Sequence, residues 1–346
     1  MRQLLILSFL FTAFRSFLFP QIITDSLSVH RDTTSVPLDS NVVLRFAGDL
    51  LLAGSYESFA RDSGGLAFQD FDLFHSDDIT VVNNECPITS RGVKVPKPYN
   101  FRMRPSYAKV LPEAGIEIVN LANNHIFDYG EEGLFDTISY LDSLGVHHIG
   151  AGRNASEARE PVIMRLKGRR VAFLGYYGGG EAPMARRHVP GVASRDLRVI
   201  RYDIQKLKER DSVNFIVVSL HWGTEKATIP DSDQTDFARR IIDAGADAVI
   251  GHHPHVLQGI ERYKNGVIAY SLGNFVFGGN SRNKYDTAVF EIRITKDGPD
   301  YCLIPIGVRD WRLTVLVGAE REHVVQEVVN LSVNFPRSIF NPKETP

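Results

Sequence analysis

Apolar, β-branched runs that stop at a side chain of metal-binding type recur along this chain, and that recurrence restricts its fold more than any other feature. The plainest is Ala248-Val249-Ile250-Gly251-His252-His253-Pro254-His255, where a run suited to a buried strand meets a glycine and then three imidazoles. Val42-Val43-Leu44-Arg45-Phe46-Ala47 runs into Gly48-Asp49, and Ile79-Thr80-Val81-Val82 into Asn83-Asn84-Glu85. Residues 115–121 lead to Asn123-Asn124-His125, and residues 213–220 lead to His221-Trp222-Gly223. Runs without polar alternation are those of strands covered on both faces. In α/β proteins such strands gather chemistry at their carboxyl ends.

Helices alternate with these runs. Over 131–144, Leu134, Phe135, Ile138, Leu141 and Leu144 fall at helical spacing, and Gly145 closes the segment. Residues 106–114, 196–210 and 236–244 are further helices, and 161–166 with 170–176 form a hairpin through Lys167-Gly168-Arg169. Beyond His255 the pattern is of strands, at 266–272, 288–295, 301–308 and 313–317.

Asp49, Glu85, Asn124, His221, His253 and His255 are therefore the candidate metal ligands. Taken singly each has a plainer explanation: Asp49 as a helix cap for Leu50-Leu51-Leu52, Asn-Asn-His as a turn. Taken together, hard oxygens and imidazoles after successive apolar strands point to one shared site. In an extended His-x-His segment both rings leave on the same side, so His253 and His255 reach adjacent ions, or one ion and its water. With Glu85 as bridge, this is the make-up of a two-metal centre, whose ions, about 3.5–4 Å apart, activate water and stabilise charge on the attacked atom. Manganese, zinc, iron and magnesium all remain open. His125 is placed to protonate a leaving group and Asp128 to hold its other ring nitrogen.

Residues 94–104 carry Lys94, Lys97, Arg102 and Arg104. Guanidinium groups pair bidentately with phosphate or carboxylate, so Arg102 and Arg104, with His252 and Asn274 near the other motifs, are candidates for substrate contact. A solvated loop, and a plain turn at Ser271-Leu272-Gly273-Asn274-Phe275, are the other readings. A net charge of -2 gives no reason to expect nucleic acid, so any anion recognition is local. Cys86 and Cys302 are too few for a disulfide framework and are expected as free, packed thiols.

The amino terminus differs from the rest. Met1-Arg2-Gln3 precedes an apolar run broken at Arg15, the pattern of a secretory signal or an anchor over 1–20, which implies export to the periplasm or cell surface. A linker over 21–40, a main domain over 41–320 and a carboxyl-terminal extension over 321–346 complete the expected organisation.

The chain resembles the capsule synthesis protein CapA family, which is associated with poly-γ-glutamate synthesis and is similar in fold to the calcineurin-like metallophosphoesterases. The resemblance spans about 42–277. It rests on Gly48-Asp49, Asn84-Glu85, Ala122-Asn123-Asn124-His125 with Asp128-Tyr129-Gly130, His221-Trp222-Gly223-Thr224-Glu225, Gly251-His252-His253-Pro254-His255 and Ser271-Leu272-Gly273-Asn274-Phe275. It implies a four-layer α/β/β/α sandwich and a metal-dependent hydrolase acting on poly-γ-glutamate or a related anionic surface polymer. A general metallophosphoesterase and a non-catalytic, polymer-binding subunit of a membrane-associated capsule synthesis complex are the alternatives. The non-catalytic reading draws on a departure: the phosphoesterases begin Asp-x-His, whereas Leu51 stands two residues after Asp49. Glu85 likewise stands where their bridging aspartate does.

Overall fold

Residues 42–51 form the strand on which the molecule is assembled, because it pairs on both sides and changes partner along its length. The structure is a computed structural model and describes residues 40–340. The expected signal or anchor over 1–20 and all of the expected linker except Ser40 lie outside the described residues.

In chain order the strands are β1 (Val42–Leu51), β2 (Ile79–Asn84), β3 (Ile118–Asn120), β4 (His147–Ile149), β5 (Ala151–Gly152), β6 (Val162–Leu166), β7 (Arg169–Tyr177), β8 (Gly191–Val192), β9 (Phe215–His221), β10 (Ala248–His252), β11 (Ile260–Tyr263), β12 (Gly266–Ala269), β13 (Asn274–Phe277), β14 (Lys284–Ile294), β15 (Pro299–Arg309) and β16 (Arg312–Val315). The helices are α1 (Ser55–Ala60), α2 (Val110–Glu113), α3 (Gly130–Leu144), α4 (Ala155–Ala158), α5 (Leu197–Glu209), α6 (Ser232–Ala244) and α7 (Gly318–Ser332).

One sheet runs β16-β15-β14-β1-β2-β3-β4, with β13 pairing in parallel with the end of β1; the other runs β11-β12-β10-β9-β7-β6. Their facing sides make one core. Val42, Leu44 and Phe46 of β1, Ile79 and Val81 of β2 and Ile118 of β3 meet Val171, Phe173, Phe215, Val217, Ala248 and Ile250 of the second sheet. Outside it, Ile216, Val218 and Val249 pack beneath α5 and α6, while Val82 and Val119 pack beneath α3. This is the four-layer α/β/β/α sandwich expected from the sequence. Strands covered on both faces lose polar alternation, which is why they read as unbroken apolar runs.

The period of two along each strand aims the site. On β9, Phe215 and Val217 face the inter-sheet core, so His221 leaves on that side. On β10, Ala248 and Ile250 do the same, and His252 follows them. On β2 the inward series Ile79, Val81 continues to Asn83 and then Glu85. β1 would break this rule but for one extra residue: Phe46 opposes Val81 whereas Asp49 opposes Asn83. That bulge turns Asp49, rather than Gly48, inward.

Local chemistry sets the helix ends. Asp231 and Gln234 form a capping box before α6, Asp196 caps α5, and α3 and α6 end at left-handed Gly145 and Gly245. The helix expected over 106–114 is instead a 3-10 turn, Pro105–Tyr107, followed by the short α2, because Pro112 has no N–H to continue the ladder. The boundary expected at residue 321 falls inside α7, whose Val324 and Val328 are buried in the inter-sheet core cluster. Both thiols are free, yet only Cys86 is packed; Cys302 is exposed on β15.

Candidate metal centre

Five of the elements just described end at one place. Asp49 lies within β1, not beyond it, and no helix begins at Leu50: α1 starts at Ser55. Its backbone N–H donates to Gly273 at 2.9 Å, which draws β1 against the turn preceding β13. Asn123 accounts for the turn after β3, its side-chain oxygen accepting from the N–H groups of His125 and Ile126 at 3.1 and 3.0 Å. Asn124 is thereby released from turn-making and its Oδ1 reaches His221 Nε2 at 2.9 Å.

His253 and His255 do not sit in extended backbone. Their φ angles are 97° and 59°, left-handed values that strain a residue with a side chain. The turn is fastened at two points, His253 N–H to Asp49 Oδ2 at 3.3 Å and Lys226 N–H to the Pro254 carbonyl at 2.7 Å. It keeps the two rings close, with centroids 5.8 Å apart, and brings His253 within 4.7 Å of His221.

Ligand atoms converge as two overlapping groups, Asp49-Glu85-His221 and Glu85-His253-His255. Glu85 belongs to both. Its Oε1 lies 3.9 Å from His221 Nε2 and 3.6 Å from His255 Nε2, and His255 Nδ1 lies 3.1 Å from Asp49 Oδ2. His252 Nδ1 is 3.6 Å from Asp49 Oδ1, and Asn274 Oδ1 is 2.9 Å from His255 Nδ1, so these two substrate-contact candidates border the ligands. Leu51 is buried in the apolar core; the imidazoles nearest Asp49 are those of His252, the last residue of β10, and His255 in the loop that follows.

Asn83, which the sequence did not single out, sits at the centre. Its amide donates to Asp49 Oδ1 at 2.8 Å and Glu85 Oε2 at 3.1 Å, and lies 3.2 Å from His221 Nδ1. The only signal for it was its place on the inward series of β2.

Burial and crowding of like charges dominate the electrostatics. Burial, then the charge of Asp49, pushes the Glu85 carboxyl well above the usual range. Burial also works against ionisation of Asp49, but the hydrogen bond and charge of His255, with the charge of His252, hold it below its ordinary value. Burial and then the neighbouring imidazoles drive His221 well below 6.5, and burial takes His252 down to about 4. Burial also opposes protonation of His255, but Asp49 raises it overall. Among the described residues, Glu85 Oε1, His253 Nδ1 and both nitrogens of His252 are buried without a hydrogen-bond partner. Orphaned acceptors on carboxylate and imidazole are what a divalent cation satisfies, so this donor set fits one or more such ions.

Beside the ligands stands His125, whose Nδ1 is 2.7 Å from Asp128 Oδ2. Asp128 is completely buried and also accepts from the Phe101 N–H at 2.6 Å. Lys97, from the basic loop, places its ammonium 2.5 Å from Asp128 Oδ1, 2.8 Å from the Asn124 carbonyl and 3.2 Å from His125 Nδ1. The cation that this loop brings to the His125–Asp128 pair is therefore Lys97. Arg104 instead pairs with Glu57 at 3.3 Å and Arg102 lies over the Tyr129 ring at 4.6 Å, both exposed. Proline on either side of Lys97 fixes the loop's course, a signal the four basic residues had masked.

The model of the bacterial capsule synthesis protein family PGA_cap matches residues 43–279, which contain every side chain named above as a ligand or as a member of the His125–Asp128 pair. The chain belongs to this bacterial capsule synthesis family. It is 35% identical over 221 residues to the capsule biosynthesis protein CapA of Bacillus anthracis, covering 63% of this chain and 54% of that protein. It is 32% identical over 275 residues to the PGA biosynthesis protein CapA of Bacillus subtilis, covering 77% and 72% respectively. The match thus spans about half of the first relative's length. Among solved structures, the NAD nucleotidase of Haemophilus influenzae superposes with a TM-score of 0.50 at 12% identity, covering 86% of this chain and 57% of that one, a likeness of fold. In this member of the capsule synthesis family, the ligand groups lie at the strand ends.

Proposed function

We propose that this chain is an exported, metal-dependent hydrolase that processes poly-γ-glutamate or a related anionic surface polymer. The observation that carries the reading is the position of Glu85, common to two ligand groups and with a buried oxygen left unbonded. Asp49, Glu85 and His221 would hold one divalent ion, and Glu85, His253 and His255 a second, with Asn124 adding a neutral oxygen beside His221. When bound, such ions supply an activated water and stabilise charge on the attacked carbonyl or phosphoryl group. The chain's own residues do the rest. Asn83 fixes Asp49 and Glu85 by donating to both, and Asp128, accepting from Nδ1 of His125, leaves Nε2 to carry the proton given to a leaving group.

The family resemblance and the relatives named for capsule and PGA biosynthesis support the polymer as substrate. Export and association with a membrane-bound synthesis complex rest on the amino-terminal sequence; among the described residues no helix is long and apolar enough to cross a membrane. The test is metal analysis of purified protein, followed by hydrolysis assays on γ-linked glutamyl peptides and on a generic phosphodiester, with His125→Ala as control. Turnover that survives His125→Ala removes the proposed acid.

The burial of Leu51, where phosphoesterases carry an imidazole, favours a second reading: a non-catalytic accessory subunit. Polymer binding by folded protein without any hydrolysis at saturating manganese, zinc or magnesium would establish it.

A further inference from the structure

A cavity of about 250 Å³ opens beside the metal centre, and His255 and Asn274, 2.9 Å apart at their polar atoms, form part of its wall. The cavity is also lined by Tyr285, Asp286 and Thr287 of β14, by Glu327 of α7 and by Arg282 on the loop between β13 and β14. Most of the polar wall is already committed. Tyr285 donates to the Phe275 carbonyl at 2.9 Å, Thr287 to the Leu272 carbonyl at 3.0 Å, and Asp286 pairs with Arg309 at 2.7 Å. Two groups are left. The guanidinium of Arg282 lies 6.0 Å from the centre of the Tyr285 ring and, like the carboxylate of Glu327, has no hydrogen-bond or ion-pair partner among the described residues, although both residues line the same cavity.

Opposite charges that line one small cavity without pairing across it leave a slot for a ligand carrying both charges. We infer that this cavity is a subsite for an amino-acid terminus, with the ligand's carboxylate at Arg282 and its ammonium at Glu327. The inference rests on the proposed action on a glutamyl polymer and specifies which end of the chain is held. In a γ-linked chain the first residue keeps its ammonium and its α-carboxylate on the same carbon. An α-linked chain has consumed that carboxylate in its first amide and never presents the pair. The volume lies below the roughly 300 Å³ at which pockets for drug-sized ligands begin, so it takes one terminal residue and not a run of polymer. The proposed subsite therefore takes γ-linked chains, with their amino end in the cavity that His255 lines.

Calorimetry on the full-length protein stripped of metal separates this from catalysis. The probes are γ-glutamyl-glutamate, α-glutamyl-glutamate and N-acetyl-γ-glutamyl-glutamate. The γ-linked dipeptide is expected to bind about tenfold or more tightly than either of the others, a ratio of the size one charge-assisted contact gives. Arg282→Met is expected to weaken the γ-linked dipeptide by about tenfold, and Glu327→Gln to do so while leaving the acetylated probe unchanged. Both side chains are exposed, and unchanged thermal melting of the variants shows that the fold is kept. Equal binding of the three probes, no binding of any, or affinity indifferent to both substitutions overturns the subsite. Hydrolysis by metal-loaded protein is measured separately: loss of that activity with selective binding intact sinks the proposed reaction and leaves the subsite standing.

Discussion

Gly48 and Gly273 approach so closely that a Cβ on Gly48 would lie 1.9 Å from the Gly273 carbonyl oxygen, the acceptor of the Asp49 N–H. This contact holds the bulged end of β1 against β13 and so determines where the Asp49 carboxylate stands. Gly48→Ala must displace one strand or the other. The expected result is a loss of stability on the order of 1–3 kcal/mol and a clear drop in metal retention, read by thermal melting and elemental analysis. Wild-type metal content in this variant would show that the close approach does not position Asp49.

Asp128 is expected to act on the reaction and not on the metal. Asp128→Asn keeps the shape but exchanges an acceptor of the His125 Nδ1 proton for an amide that can present N–H instead. Hydrolysis should fall by about a hundredfold or more while bound metal is unchanged, as it would for removal of a general acid. Loss of metal together with activity would make Asp128 a structural support of the ligand cluster.

Lys97→Met tests the loop cation. The substitution preserves length and removes the ammonium that contacts Asp128, the Asn124 carbonyl and His125. Asp128 is then left buried with one fewer partner, at a cost of about 1–3 kcal/mol in stability. The loop carrying Val95, whose N–H donates to the Asp128 carbonyl, should become more susceptible to limited proteolysis. An unchanged melting temperature and digestion pattern would contradict this.

For metal-free protein the account predicts a loss of stability in acid. His252 is buried, and burial takes its folded pKa to about 4 from the ordinary 6.5. A base with a depressed folded value contributes stability above pH 6.5 and loses it as pH falls towards 4, because only the unfolded chain takes up the proton. The contribution is on the order of 3 kcal/mol. Denaturant titrations of chelated protein between pH 7 and pH 4.5 should show the decline, with a shallower slope for His252→Gln. A slope unaffected by that substitution would assign the effect elsewhere.

How far the sequence carried the architecture follows from what each feature depends on. Burial on both faces is a local property, so β9 and β10 were legible from Phe215-Ile216-Val217-Val218 and Ala248-Val249-Ile250, and α3 from its apolar spacing and closing glycine. Position relative to a partner strand is not local. The bulge that turns Asp49 inward exists only in its register with β2, and the left-handed turn at His253 and His255 is held by Asp49, some two hundred residues earlier in the chain. The roles of Asn83 and Lys97 went unread for the same reason, since an amide or an amine declares its role only through what surrounds it. α7 gave little warning because its short apolar stripe, Val324 and Val328, is outnumbered by polar neighbours.

The central claim is that Glu85 joins two cation sites. Elemental analysis of the purified full chain, beside Glu85→Gln, measures this most directly. The account predicts about two divalent ions per wild-type chain and near-complete loss of both in the variant, whose fold the isosteric amide preserves. A wild-type chain that retains no metal after loading, or a variant that keeps its full complement, would contradict it.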